Sequence, residues 1–225
     1  MYKREHIDFT YVAGDATAET LAQKLEIVLA EKPRGICLSP VVADYVLQDE
    51  YLDDLFLKVQ EENILRQFVL DFPLGQGGEY AKSTIAQLLC KEGVVDEFDV
   101  VANIGSILSN DFAAFSRELK PVIGLGLPVK VIVETGYYSN DSEIIERVLD
   151  WCVRVGAFAI KTSTTVVASI DSEMKRHHVA FWRFLIDSRG YPIKIKASGG
   201  QRTREDIDAM LAAGADIIGT SSVIS

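Results

Sequence analysis

The sequence is short of cysteine and has no long apolar run. Its three cysteines, Cys37, Cys90 and Cys152, are widely spaced, form no Cys-x-x-Cys pair and lie apart from any histidine cluster. We therefore expect neither a disulfide framework nor a zinc site. No apolar run reaches the length that spans a membrane, and the first six residues lack the apolar stretch of a signal peptide. These absences predict a cytoplasmic protein that does not enter a membrane.

Positive charge is also scarce. The 225 residues include 23 lysines and arginines against 33 aspartates and glutamates, which gives a net charge of −10. An acidic chain argues against nucleic acid or an anionic membrane as the main partner, so an anionic substrate would need a local positive site. With 48% hydrophobic residues, the chain is able to bury a sizeable core.

Short apolar runs alternate with amphipathic helical patterns along the whole chain. We predict strands over residues 7–10, 35–40, 67–71, 97–102, 129–133, 158–161, 192–197 and 215–219. Eight strands separated by helices are the pattern of a (β/α)₈ TIM barrel, here as one domain over residues 1–225. A doubly wound sheet is the rival, but the Gly-x-Gly-x-x-Gly turn of a dinucleotide-binding fold is absent after the first strand. The pattern favours the barrel.

Two helices are predicted from apolar spacing in the second half of the chain. One is marked by Leu108, Phe112, Phe115 and Leu119 and ends before a proline. The other is expected to start near residue 172 and to bury four side chains, Met174, Phe181, Trp182 and Leu185.

A lysine stands at the end of the sixth predicted strand. Burial of an ammonium is costly and tends to depress its pKa, and a Schiff-base lysine must react as the neutral amine. In a barrel, Lys161 would lie beside Lys196 on the seventh strand. At ~5 Å and an effective dielectric constant of about 20, their repulsion is roughly 3 kcal/mol, or about two pKa units. Asp99, at the fourth strand, is then placed to shuttle the proton that imine chemistry requires.

Other polar residues gather at the carboxyl ends of the predicted strands, where barrel enzymes carry their active sites. The Gly199-Gly200 turn and the Thr220-Ser221-Ser222 run follow the seventh and eighth strands. Backbone N–H groups and hydroxyls at this place suit a phosphate. The remaining strand-end positions are Asp8, Thr10, Cys37, Ser39, Asp71, Glu134 and Ser198.

Eight stretches in serial order carry a family resemblance. They are Ile7-Asp-Phe-Thr10, Ile36-Cys-Leu-Ser-Pro40, Phe72-Pro-Leu-Gly75, Asp96 to Gly105, Lys130-Val-Ile-Val-Glu-Thr135, Lys161-Thr-Ser-Thr164, Lys196-Ala-Ser-Gly-Gly200 with Arg202-Thr203, and Gly219-Thr-Ser-Ser222. In this order the chain resembles the deoxyribose-phosphate aldolases, which are class I (Schiff-base) lyases.

The resemblance implies reversible cleavage of 2-deoxyribose 5-phosphate to acetaldehyde and glyceraldehyde 3-phosphate, without a metal or other cofactor. By motif, Lys161 forms the imine, Lys196 lowers its pKa and Asp99 takes part in proton transfer. The substrate-binding positions are Asp8, Thr10, Cys37, Thr162 and Ser198, and the phosphate-binding positions are Gly199, Gly200, Ser221 and Ser222.

Three departures from the family pattern lead to further expectations. Thr165 and Val166 stand where the family usually has a glycine in its phosphate loop. Lys194, two residues before Lys196, is expected to point inward and to pair with Glu97. The sequence also stops where the family continues into a last helix, so that helix is expected to be truncated. The flank exposed on the eighth and first strands then predicts a dimer or tetramer.

Two other functions stay open at this point. An aldolase that prefers another, unphosphorylated aldehyde would fit the changed loop. A barrel that binds a metabolite without turnover would fit the missing helix.

Overall fold

Parallel strands form a closed barrel in the computed structural model, which describes residues 4–168 and 170–222. The strands pair in sequence order, and the last pairs with the first. The strands are Ile7–Tyr11 (β1), Gly35–Leu38 (β2), Leu65–Leu70 (β3), Glu97–Val101 (β4), Val129–Ile132 (β5), Ala159–Lys161 (β6), Lys194–Ser198 (β7) and Ile217–Thr220 (β8). The predicted (β/α)₈ barrel is confirmed.

Helices surround the barrel. They are Ala18–Glu31 (α1), Val41–Gln48 (α2), Glu50–Glu61 (α3), Gly78–Glu92 (α4), Ile104–Leu108 (α5), Phe112–Ile123 (α6), Ser142–Val155 (α7), Ser172–Arg189 (α8) and Arg204–Ala212 (α9). Short 3₁₀ turns cover Arg4–His6 and Thr135–Tyr138. Thr203 and Asp206 form a capping box at the start of α9. None of these helices is long and apolar enough to cross a membrane.

Alternation along the strands divides the buried side chains into two layers. The outward residues of the strands, such as Phe68, Phe98 and Ile195, belong to the large apolar core with the helices. A second, smaller apolar cluster lies inside the barrel, on four neighbouring strands from β2 to β5, and consists of Cys37, Val69, Val101 and Ile132. Charged side chains fill most of the rest of the interior, so among the described residues this apolar cluster covers the β2 to β5 side of the inner wall.

Two predicted helices differ from the structure. The single helix expected around Leu108 to Leu119 is broken into α5 and α6, and Leu108 is exposed. Asp111 causes the break, since its side chain caps α6 by accepting a hydrogen bond from the backbone N–H of Ala114. Helix α6 also continues past Pro121 and ends at Ile123.

The buried face of α8 is turned by about one residue from the prediction. Trp182 and Leu185 are buried as expected, but Met174 and Phe181 are only half-buried. The side chains that take their place against the barrel include Lys175, His178 and Val179. The expected truncation of a last helix concerns the end of the chain, where residues 223–225 lie outside the described residues.

Candidate active site

Three lysines from neighbouring strands converge on one aspartate inside the barrel. The Nζ atoms of Lys161 (β6) and Lys196 (β7) lie 2.6 and 2.9 Å from the same oxygen, Oδ2 of Asp99 on β4. Lys130 on β5 contacts the other oxygen, Oδ1, at 2.9 Å. All four side chains are buried. Strand register brings them together, because Asp99 lies opposite Lys130 and Lys161 lies opposite Lys196.

Two further carboxylates and an arginine complete what we call the interior charge cluster. Asp8 contacts Lys196 at 2.6 Å and Arg34 at 2.8 Å. Glu97 contacts Lys130 at 2.7 Å and also Arg34. The interior charge cluster consists of the cations Arg34, Lys130, Lys161 and Lys196 and the carboxylates Asp8, Glu97 and Asp99.

The four cations of the cluster outnumber its three carboxylates by one. Within the cluster, Lys161 contacts one carboxylate, that of Asp99, whereas Lys196 contacts two and Lys130 contacts three. Of the three lysines, Lys161 therefore has the fewest ion pairs there. An excess positive charge in such a cluster is costly, because it lies in a low dielectric without compensation.

The electrostatic field of the cluster fixes the charges of Asp99, Asp8 and Lys196. Burial alone raises the pKa of Asp99, but Lys130, Lys161 and Lys196 outweigh it and hold the pKa well below its usual range. The pKa of Asp8 is lowered in the same way, against burial, by Lys196, Lys130 and Arg34. Burial lowers the pKa of Lys196, yet Asp8 and Asp99 more than reverse this and raise it above its usual value. Lys196 thus stays an ammonium at neutral pH.

Glycines on both sides of Asp8 leave room for this cluster. In register, Asp8 lies opposite Gly35 on β2 and opposite Gly219 on β8. A Cβ atom at Gly35 would lie 2.2 Å from Nε2 of Gln67, which donates a hydrogen bond to Asp8. A Cβ atom at Gly219 would lie 2.3 Å from Oγ of Ser198 and 3.3 Å from Cε of Lys196. The absence of side chains at these two positions lets long side chains reach Asp8.

The residues predicted to contact substrate line the same interior. They differ in whether their polar groups are already hydrogen-bonded. Burial raises the pKa of the Cys37 thiol to about 11, so it is neutral, and it belongs to the apolar side of the wall. Thr10, half-buried, lies opposite Cys37 in register. The hydroxyl of Thr162 donates to the carbonyl of Ser198 and accepts from its N–H, so it ties β6 to β7. Oγ of Ser198 is buried and has no hydrogen-bond partner in the described part of the chain.

The loops that follow β6 and β7, residues 162–168 and 199–203, form a second region that we call the β6/β7 loops. Gly199 and Gly200 have φ of +98° and +87°, a conformation that glycine adopts readily. Lys175 of α8 donates a hydrogen bond to the carbonyl of Gly199. Thr165 also has a positive φ, +75°, which is strained for a β-branched residue.

The loop after β8 is joined to these loops. The hydroxyl of Thr220 donates to the carbonyl of Gln201 at 2.7 Å and accepts from the N–H of Ser222 at 3.1 Å. Ser221 is exposed and Ser222 is half-buried. The four positions predicted to hold a phosphate therefore belong to two loops that Thr220 holds together at the carboxyl end of the barrel.

No protein-family model matches the sequence. Two curated deoxyribose-phosphate aldolases align over almost the full chain. The one from Caldicellulosiruptor saccharolyticus is 32% identical, covering 97% of this chain and 94% of its own. One from Thermus thermophilus is 33% identical, covering 98% of this chain and 93% of its own. The chain belongs to the deoxyribose-phosphate aldolase family.

Solved structures agree with this membership. The deoxyribose-phosphate aldolase of Aeropyrum pernix superposes with a TM-score of 0.80 at 29% identity, covering 97% of this chain and 86% of its own. A protein of Coccidioides immitis described as a putative deoxyribose-phosphate aldolase shares the fold with a TM-score of 0.83, at 24% identity and with coverages of 96% and 80%. The resemblance drawn from the motifs is confirmed, and with it the expectation of an aldolase, a carbon–carbon lyase.

One expectation about the interior of this aldolase barrel is wrong. Lys194 does not pair with Glu97: it is exposed, and its ammonium lies 5.0 Å from the centre of the Phe158 ring. The reason is its place at the start of β7, where a long side chain reaches solvent at the amino end of the barrel. Glu97 pairs with Lys130 and Arg34 instead.

Sequence reasoning gave no role to several residues that the structure brings to the site. Lys130 carried a signal that was available, since it interrupts an apolar strand in the same way as Lys161. Arg34 and Gln67 carried none, because an arginine before a strand and a glutamine within one are common on protein surfaces. Lys175 lies on a helix, where a lysine is usually solvated. Among the described residues, no group of three or more His, Cys, Asp or Glu side chains is placed to hold a metal ion.

Proposed function

We propose that this aldolase reversibly cleaves 2-deoxyribose 5-phosphate to acetaldehyde and glyceraldehyde 3-phosphate through an imine on Lys161. The observation that carries the proposal is the arrangement of Lys161 and Lys196 on one oxygen of Asp99. One amine is held as a cation by two carboxylates, and its neighbour has a single carboxylate contact. An imine-forming lysine needs such a neighbour, because the fixed charge disfavours a second ammonium beside it.

Imine formation begins with the neutral amine of Lys161, which attacks the C1 aldehyde of the open-chain sugar. A proton moves to the new hydroxyl, water leaves, and a cationic iminium remains. Asp99, kept as a carboxylate by its low pKa, stabilises this cation. Because one oxygen of that carboxylate contacts both the ammonium of Lys196 and the nitrogen of Lys161, it passes a proton between them while carrying it only briefly.

Cleavage follows from the electron demand of the iminium. The C3 hydroxyl loses its proton, the C2–C3 bond breaks, and its electron pair forms an enamine with the former iminium. Glyceraldehyde 3-phosphate leaves, the enamine takes a proton at C2, and water hydrolyses the new imine to acetaldehyde and free Lys161. The unpartnered hydroxyl of Ser198 and that of Thr10 are suited to hold sugar hydroxyls, while Cys37 lies on the apolar side, which suits the C2 methylene.

The phosphate is proposed to bind at Gly199, Gly200, Ser221 and Ser222. Support comes from the open space beside Gly200, where an added Cβ would meet no atom within 4 Å, and from the exposed hydroxyl of Ser221. Positive φ at both glycines turns their backbone N–H groups away from the hydrogen bonds of regular secondary structure, as in anion-binding turns.

Borohydride trapping tests the imine. With acetaldehyde present, reduction is expected to add one ethyl group to Lys161, detected by mass spectrometry of its peptide. Lys161→Arg is the control and should gain nothing. An unmodified native protein, or a modification that survives Lys161→Arg, contradicts the proposal.

A comparison of sugars tests the phosphate. We expect a higher kcat/KM for 2-deoxyribose 5-phosphate than for 2-deoxyribose. Equal values would instead favour an aldolase for unphosphorylated aldehydes, a function that the side chain of Thr165 packed against Gly199 would suit.

We also propose a homo-oligomer that works in the cytoplasm. The Aeropyrum pernix relative is described as tetrameric. Here, large apolar side chains such as Tyr80 and Phe184 are 83% and 65% exposed on the outer helices. The three cysteines are free thiols, as is usual in a reducing compartment. Sedimentation should give a mass of two or four chains, and a monomer would contradict the assembly.

A further inference from the structure

Buried lysines form two classes in this protein. Five lysines are buried among the described residues: Lys82, Lys130, Lys161, Lys175 and Lys196. Four of them have a carboxylate within ion-pair distance, either in the interior charge cluster or, for Lys82, at Asp71 and Glu118. Lys175 has no such contact in residues 4–168 and 170–222, and its hydrogen-bond partner there is the carbonyl of Gly199.

An ammonium in this situation is costly. It carries three N–H donors, and a neutral carbonyl satisfies one of them without neutralising the charge. Burial lowers the pKa of Lys175, and the more distant carboxylates of Glu134 and Asp171 only partly oppose this. The other buried lysines show that the protein otherwise supplies a counter-ion, so the missing anion at Lys175 needs an explanation.

The surroundings of Lys175 are those proposed for the phosphate. A Cβ atom on Gly199 would lie 2.8 Å from Nζ of Lys175 and 3.1 Å from Oγ of Ser163. The ammonium therefore lies directly against the backbone of the Gly199–Gly200 turn. The space beside Gly200 is open. An anion bound at this turn would be within reach of the ammonium after a small rotation of its flexible side chain.

We infer that Lys175 is the cation that binds the phosphate monoester of the substrate, and that the substrate supplies its missing counter-ion. The inference rests on the proposed function and adds a residue outside the strand-end motifs. It explains how a chain with a net charge of −10 offers a local positive site to an anionic sugar.

The test is the ratio of kcat/KM for 2-deoxyribose 5-phosphate to that for 2-deoxyribose. Lys175→Met should lower this ratio roughly 10- to 100-fold, as expected for a charged hydrogen bond lost in a buried site. Lys175→Gln serves as a second variant should the first fold poorly. Lys194→Met, which removes an exposed lysine from the amino end of the barrel, is the matched control and should leave the ratio within twofold.

Two results would overturn the inference. One is an unchanged ratio in Lys175→Met, including an equal loss on both sugars, since that is the mark of a merely structural lysine. The other is a larger fall for Arg202→Met, which removes the exposed arginine of the same loop.

A binding measurement separates this inference from the aldolase proposal. Inorganic phosphate should raise the melting temperature of the native protein and have a smaller effect on Lys175→Met. This outcome supports Lys175 even if borohydride traps no imine on Lys161. Equal shifts in the two proteins would overturn the role of Lys175 and leave the imine untouched.

Discussion

The interior charge cluster and the β6/β7 loops differ in whether a nearby buried lysine is paired with a carboxylate. Inside the barrel, each of the three lysines contacts at least one carboxylate, and Asp99 alone is shared by all three. Against the β6/β7 loops, the buried Lys175 of α8 has a carbonyl as its one hydrogen-bond partner in the described part of the chain, and Thr165 in these loops holds a strained backbone conformation. In the first region, charges are paired within the protein, with one cation in excess. On our proposal for Lys175, the second region is completed by the phosphate of the substrate, so that catalysis and substrate selection rest on separate groups.

The largest expected effect comes from removal of the shared carboxylate. Asp99→Asn leaves three buried lysines without their common partner, so we expect a stability loss of about 3–5 kcal/mol. Activity should fall roughly 100- to 10,000-fold because proton transfer also loses its bridge. Urea unfolding and steady-state cleavage measure the two effects. Asp96→Asn, at a partly exposed pair with Arg66, is the control and should keep most of the activity. Activity within tenfold of native would remove Asp99 from the mechanism.

Substitution of one lysine from each region tests the comparison directly. Lys196→Met should lower the free energy of unfolding by about 3–5 kcal/mol, because Asp8 and Asp99 lose a partner in a buried site. Lys175→Met should leave it unchanged or raise it by about 1 kcal/mol, since it removes a buried charge that lacks a counter-ion. Both follow from urea unfolding without substrate. A similar loss in both variants would show that the two regions do not differ.

The loss of unfolding free energy at acidic pH should come mainly from the interior charge cluster. The pKa values of Asp8 and Asp99 lie below their unfolded value of 3.8. Their contribution to stability is therefore present above that value and is lost as the pH falls below it. Lys196, whose pKa is raised, stabilises the folded protein below pH 10.5, and this contribution is lost as the pH rises above that value.

Unfolding free energies measured from acid to alkaline pH should therefore form a dome. Asp8→Asn should flatten its acid side. An acid limb identical in that variant would assign the effect to other carboxylates.

The smallest effect distinguishes two adjacent glycines. Both Gly199→Ala and Gly200→Ala place a side chain at positive φ, which costs about 1 kcal/mol. Only at position 199 does the new Cβ also collide, at 2.4 Å from Cγ2 of Thr165. Gly199→Ala should therefore cost roughly 1–3 kcal/mol more than its neighbour. Equal melting temperatures for the two variants would mean that the loops give way freely.

Much of the barrel and part of the site could be predicted from sequence for one physical reason. A side chain on a strand has only two directions, so Lys161, Lys196 and Asp99 point inward once the strands are placed. Lys194 fits the same period but is the first residue of β7, where a flexible side chain reaches solvent. Periodicity gives no information on depth along the barrel.

Helices gave less. Met174 and Lys175 are neighbours on α8, and the apolar residue was expected to face the barrel. The packing instead buries the lysine, because the face of α8 that is buried depends on how the helix packs against the β6/β7 loops. The local sequence carries no information about that contact. The positions of Lys175 and Arg34 beside the site could therefore be recognised only in three dimensions.

The two glycines beside Asp8 affect how further members of this group are recognised. Lysines at two strand ends are an incomplete signature, since any barrel can carry them by chance. The chemistry also needs vacant volume on both flanks of the first-strand aspartate, which Gly35 and Gly219 provide. A sequence with both lysines but bulky residues at these two positions would keep the reactive groups and lose the space in which they meet.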